Sequence, residues 1–148
     1  MHSYTQISKA LDSWNNNKRW DTILHAGLRD NAPETIFDKI LAKEIPATIV
    51  RDHPKYIAFR DINPAAPNHI LIIPRDRAML THLHHASSDH VEILGTLLQA
   101  AGEIVNDPEL GYGGTGRIVI NDSAGAGQEV FHLHLHVLGG RGFSWPPG

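Results

Sequence analysis

The stretch His132-Leu133-His134-Leu135-His136-Val137-Leu138 alternates imidazole and aliphatic side chains without a break. Successive side chains of an extended chain face opposite ways, so the spacing predicts a strand over residues 131–138. It turns Leu133, Leu135 and Val137 into a core. All three imidazoles then share the other face, about 7 Å apart from one Cα to the next. Buried imidazoles need partners and resist protonation, and both cost stability. Packing alone does not ask for three of them in a row, so a functional reading outweighs a structural one.

Working outward, Ser123-Ala124-Gly125-Ala126-Gly127-Gln128 precedes that strand, and small residues there let backbone amides approach a phosphate. Residues 117–121 read as the strand before it. Residues 69–73 form a β-branched run closed by Pro74, and residues 48–50 and 56–59 form a hairpin around Asp52-His53-Pro54-Lys55. Thr35 with Asp38 predicts a capped helix whose Phe37, Ile40 and Leu41 share one face and which Pro46 stops. A second helix is predicted over 88–106, capped by Ser87 or Ser88, with Val91, Leu94, Leu98, Ala101 and Val105 along its inner side. A hairpin, a third strand, a long helix and two more strands specify an α+β fold. Two helices pack on a five-stranded antiparallel sheet.

The chain has 148 residues, enough for one domain with its own core. Residues 1–32 read as an N-terminal extension. Ile7, Leu11 and Trp14, then Trp20, Ile23 and Leu24, suit one broken helix or two short ones, and Pro33 opens the domain at 33–148. The net charge of −3 gives no footprint for nucleic acid or an anionic membrane, so neither is an expected partner. Cysteine is absent, which excludes disulfides, thiolate nucleophiles and Cys-zinc sites. No apolar run approaches a bilayer span, and a cytoplasmic location is expected, with nuclear or organellar ones left open. Eleven histidines are the unusual feature.

Two chemistries fit three imidazoles on one face. Neutral imidazoles can hold zinc with a further ligand such as His69. Alternatively an imidazole nitrogen attacks phosphorus, while neighbouring donors stabilise the equatorial oxygens. Geometry alone does not separate them; the small-residue loop and Gln128 ahead of the strand favour phosphorus.

The run at 132–138 resembles the signature of the histidine-triad (HIT) superfamily. Thr35-Ile36-Phe37, Lys43-Glu44-Ile45-Pro46-Ala47, Ala58-Phe59-Arg60-Asp61-Ile62-Asn63-Pro64 and Ala66-Pro67-Asn68-His69 are similar to its HINT branch. So are Gly127-Gln128, Val137-Leu138-Gly139-Gly140-Arg141 and the ending Trp145-Pro146-Pro147-Gly148. The resemblance spans about residues 35–148. It implies that His134 is the nucleophile and that His136 contacts the phosphate or leaving group and helps move the proton. His132 would orient His134 through its carbonyl and ring, with His69 the fourth histidine. Asp61 would bind the ribose hydroxyls. Phe37, Ile45, Phe59 and Ile62 would wall the base, and Asn121, Gly127, Gln128 and Val130 would line the phosphate. The resemblance further implies a homodimer whose sheet runs across both subunits, with Trp145 reaching the partner's site. The substrate would be a purine nucleoside monophosphate or its phosphoramidate, cleaved at the P–N bond without metal or other cofactor.

Each of these residues also has a plainer reading. Asp61 suits a turn, Phe37, Phe59 and Ile62 suit a core, and Asn121 suits a strand end. Glu129 departs from the pattern, standing where many HINT members carry serine and where the resemblance implies the leaving group. Arg60 is expected to point to the other face, into solvent. His2, His25, His53, His82, His84, His85 and His90 read as surface or loop residues. The competing functions are a non-catalytic nucleotide sensor or scaffold, a zinc-binding protein, and a dinucleoside polyphosphate hydrolase of a sister branch.

Overall fold

The computed structural model describes residues 32–148; of the expected extension at 1–32, all but Ala32 lies outside them. Helix α1 spans Ile36–Leu41. The Thr35 side chain accepts the Phe37 amide at 3.2 Å, and Asp38 Oδ2 accepts the Thr35 amide at 2.7 Å, so the two satisfy each other's free donors. The helix stops short of Pro46. The Lys43 and Glu44 amides close back on the Ile40 and Lys39 carbonyls, with Lys43 left-handed at φ 61°.

Five strands follow: β1 Ile49–Asp52, β2 Tyr56–Arg60, β3 Asn68–Pro74, β4 Arg117–Val119 and β5 Leu135–Gly139. They form one antiparallel sheet in the order β1-β2-β3-β5-β4. Helix α2, Val91–Asn106, follows a 3-10 turn at Ser88–His90 and packs against β3 and β5. The five-stranded antiparallel sheet with two helices is the predicted α+β fold.

Both sheet faces are buried. Tyr56, Ala58, Ile70, Ile72, Leu133, Leu135 and Val137 meet α2 on one face. Phe37, Ile57, Phe59, Leu71 and Ile73 pack on the other. The inner stripe of α2 is Leu97, Ala100, Ala101 and Ile104, not the predicted set; of that set only Ala101 is fully buried, while Val91 and Leu98 are exposed. The helix carries two apolar stripes at similar spacing. The two small residues at 100 and 101 let the backbone approach the sheet, which favours their stripe.

The last strand is shorter than expected, and His132 and His134 precede it. β3 and β5 pair from Ile72 opposite Leu135, and the next steps of that register run into Pro74, which has no amide to offer. β4 ends at Val119 rather than at residue 121, so residues 131–134 gain no ladder from that side. The alternation survives nonetheless. Leu133 joins Leu135 and Val137 in the α2-side core, and the His134 ring packs against Phe37 on the opposite side.

Close approaches lock the β4–β5 end. A Cβ on Gly139 would overlap the Tyr112 ring, and the Tyr112 hydroxyl donates to the Val137 carbonyl at 2.7 Å. No helix among the described residues is long and apolar enough to cross a membrane.

Candidate active site

A cavity of about 390 Å³ opens on the face opposite α2, between α1, the β2–β3 connection and the segment leading into β5. Of the expected site residues, Phe37, Ile45, Phe59, Asp61, Ile62, His69, Gly127, Val130, His134 and His136 line it. Phe37 and Phe59 meet edge to face with centroids 5.6 Å apart, giving an apolar wall suited to a flat ring.

His134 is buried, 6% exposed, with its ring edge-on to Phe37 at 5.0 Å. Its Nδ1 is 2.7 Å from the His132 carbonyl oxygen. A carbonyl only accepts, so Nδ1 carries the proton and the Nε2 lone pair is free. Burial lowers the His134 pKa, opposed by that carbonyl and by Asp61. The ring is thus held neutral and nucleophilic near neutral pH.

A second chain of contacts fixes the other two rings. The Ala65 amide donates to His69 Nδ1 at 3.0 Å, which assigns the His69 proton to Nε2. His69 Nε2 is 2.9 Å from His136 Nδ1, so His136 accepts there and carries its own proton on Nε2. That Nε2 is buried without a protein partner, and the ring lines the cavity. Burial, reinforced by His134 and His69, pushes His136 down to about 4, with Asp61 opposing. Burial likewise lowers His69, again opposed by Asp61.

Asp61 follows β2. Its Oδ1 accepts the Asn63 amide at 2.8 Å, and its Oδ2 lies 3.5 Å from His69 Nε2. The turn reading and the site reading of Asp61 therefore hold together. His132 stands behind the cavity. Its Nε2 donates to the Pro74 carbonyl at 3.1 Å, and its ring is fully buried beside Phe37. Burial holds it at about 4, opposed by the Pro74 carbonyl and Asp38.

Besides His132, three expected residues do not line the cavity. Gln128 is buried, with Oε1 accepting the Ser123 amide at 2.8 Å and Nε2 donating to the Thr81 and Val130 carbonyls at 2.8 and 3.2 Å. It fastens the loop whose Gly127, Glu129 and Val130 do line it. Asn121 lies beside Gly127, and Trp145 is 81% exposed. Arg60 borders the cavity where it ends β2, but it alternates to the α2 side with Tyr56 and Ala58, where Tyr112 feels its charge; it is half-buried rather than fully solvated. Ile36, Ile40, Pro46, Ala47, Asn63 and Leu71 complete the lining, and their motif neighbours in the sequence signalled most of them.

The outlying histidines are less exposed than expected. His82, His85 and His90 are buried, while His53 and His84 are exposed; His2 and His25 lie outside the described residues. His90 Nδ1 accepts the Ser87 amide and its Nε2 donates to the Ala78 carbonyl. His82 stacks on Phe131 and lies 2.8 Å from Thr81 Oγ1. Tertiary cover that local polarity does not forecast accounts for the difference.

Among the described residues, Asp61, His69 and His136 are the one group bringing three possible metal-ligand atoms within 4.8 Å of one another. As placed, however, the His136 Nδ1 lone pair points at the His69 proton. A metal would have to replace that proton and part the two rings, since two nitrogens on zinc stand about 3.3 Å apart.

The HIT domain model matches residues 42–143. A 14 kDa zinc-binding protein of Zea mays is 52% identical over 121 residues, covering 80% of this chain and 91% of that protein. The adenylylsulfatase HINT1 of Arabidopsis thaliana is 50% identical over 114 residues, 77% of this chain and 76% of that one. The crystal structure of a HIT family hydrolase from Legionella pneumophila Philadelphia 1 superposes with a TM-score of 0.71 at 43% identity, covering 78% of this chain and all of that one. The chain belongs to the HIT domain family.

Proposed function

We propose that the protein hydrolyses purine nucleoside 5'-phosphoramidates at the P–N bond through a nucleotidyl-histidine intermediate. The observation that carries this reading is the bond from His134 Nδ1 to the His132 carbonyl, which leaves a free nucleophilic nitrogen in the cavity. The base lies against Phe37, Ile45, Phe59 and Ile62, and Asp61 receives the ribose hydroxyls. Gly127 and Val130 border the phosphate, with Gln128 and Asn121 supporting them from behind.

His134 Nε2 forms a bond to phosphorus as the P–N bond breaks. The bonding pair goes to the amine nitrogen, which collects a proton held on the His69–His136 pair. That pair is neutral in the empty cavity, and an anionic phosphate beside it favours taking up a proton from solvent. Water then attacks phosphorus, the P–Nε2 pair returns to His134, and water's proton passes to the pair. The names of the Legionella hydrolase and the Arabidopsis adenylylsulfatase support a hydrolase acting on a nucleotide.

The same reading makes residues 33–148 the catalytic unit and 1–32 an extension, in a cytoplasmic homodimer whose sheet continues across both subunits. The exposed Trp145 then serves the partner's cavity. A zinc-binding reading is favoured by Asp61, His69 and His136 and by the name of the maize relative. One experiment separates the two: turnover of an adenosine phosphoramidate after exhaustive chelation, by wild type and by His134→Ala. Metal-independent turnover, lost in the variant while monophosphate still binds, is expected. Turnover that needs zinc, or that survives His134→Ala, overturns the proposal; binding without turnover by wild type leaves a nucleotide sensor.

A further inference from the structure

We infer that Glu129 selects the leaving group, favouring an amine that carries a second positive charge, such as an alkyl diamine, over a neutral or anionic one. The inference rests on the phosphoramidate reading above. In-line displacement sends the leaving group away from the attacking nitrogen. His134 is buried, so the departing group leaves toward the exposed part of the lining, which includes Glu129.

The charges along that lining are few. Among the described residues, Glu129 and Asp61 are its carboxylates and Arg60 its one guanidinium or ammonium group. His69, His134 and His136 are all held toward the neutral form by burial. Asp61 is already committed, accepting the Asn63 amide and lying beside His69. Glu129 is exposed and makes no ion pair with any described residue. Its neighbour Gln128 is pinned by three hydrogen bonds, so the backbone carrying the carboxylate is fixed against the cavity. The Arg60 charge is felt by Tyr112 in the core on the α2 side, which leaves Glu129 as the uncommitted carboxylate of the lining. An ammonium at the far end of a departing diamine is attracted to it, and a carboxylate or sulfate is repelled.

The chemical step is unchanged by this selection. The P–N pair goes to the departing nitrogen, which takes its proton from the His69–His136 pair, while the distal ammonium keeps its own charge throughout. Glu129 accepts no proton; it acts by charge alone.

The test uses three adenosine phosphoramidates of equal chain length on the full-length chain, ending in an ammonium, a methyl group or a carboxylate. Wild type is expected to rank kcat/KM in that order, with roughly three- to tenfold between steps. Glu129→Gln brings the three together, and Glu129→Asp retains part of the ranking. Added salt shrinks the wild-type ratios and leaves those of Glu129→Gln unmoved, which a purely structural role would not produce. Equal treatment of the three by wild type, or a full ranking in Glu129→Gln, overturns the inference and leaves the hydrolase reading standing. No turnover of any of them by wild type overturns the hydrolase reading and this inference with it.

Discussion

Acid should weaken this fold well before its carboxylates titrate. His82 and His132 are held at about 4 against an ordinary value of 6.5, burial being the main cause in each. His82 also faces His85 and His84, which push it down, and Asp122, which pushes it up. His132 faces Asp38, Arg77 and His134. The unfolded chain binds these two protons from about pH 6.5 downward, whereas the folded chain refuses them until about pH 4. Unfolding therefore takes up protons in that window, and stability falls as pH drops through it. Between about pH 7 and pH 5, two such shifts remove about 2 kcal/mol each, about 4 kcal/mol together. That is a large part of a domain stability of about 5–15 kcal/mol. His136, His69 and His134 are lowered too and add in the same direction. Glu92 and Asp107 lie below the ordinary carboxylate range through Lys55 and Arg51, so they lose their contributions only at lower pH and do not confuse the window. Urea denaturation followed by circular dichroism should show the midpoint falling by about 2 M between these pH values at constant slope. His82→Gln should remove about 2 kcal/mol of that dependence, a shift of about 1 M in the midpoint. A midpoint that is flat, or that rises on acidification, refutes the claim that these rings are buried neutral.

Two further perturbations test the packing. Tyr112→Phe deletes a buried hydroxyl that donates to the Val137 carbonyl, and should cost about 1–2 kcal/mol in chemical denaturation; an unchanged midpoint would mean the bond is not made. Phe37→Ala opens a hole between Phe59, His132 and His134, and should cost about 3–5 kcal/mol as well as weakening monophosphate binding in titration calorimetry; a loss below about 1 kcal/mol would show that the α1 face is not the wall described.

The strand pattern and the triad were legible because they rest on a period of two, which survives even where the ladder does not. Leu133 and Leu135 find the core whether or not residues 132–134 are paired. The register of α2 was not legible, because two stripes at helical spacing compete and only the sheet beneath decides between them. Asp61, Gly127 and Val130 were readable as motif neighbours, whereas Gln128 and Asn121 share the motif and do not line the cavity. Spacing tells which residues cluster, not which of them stands in front. His82, His85 and His90 were misread for a related reason: polarity in a loop says nothing about the cover that α2 and the loop near Phe131 supply.

The three bonds of Gln128 have a consequence for the speed and cost of binding. Ser123 takes a positive φ of 78°, and the Gln128 side chain ties it to Thr81 and Val130. The ordering entropy of that wall is therefore charged to folding rather than to ligand capture. A ligand meets a preorganised surface, so association need not wait for a loop to close. Losing that one amide would leave every ligand contact available, yet move the ordering cost into the binding step and lower affinity without touching the ligand.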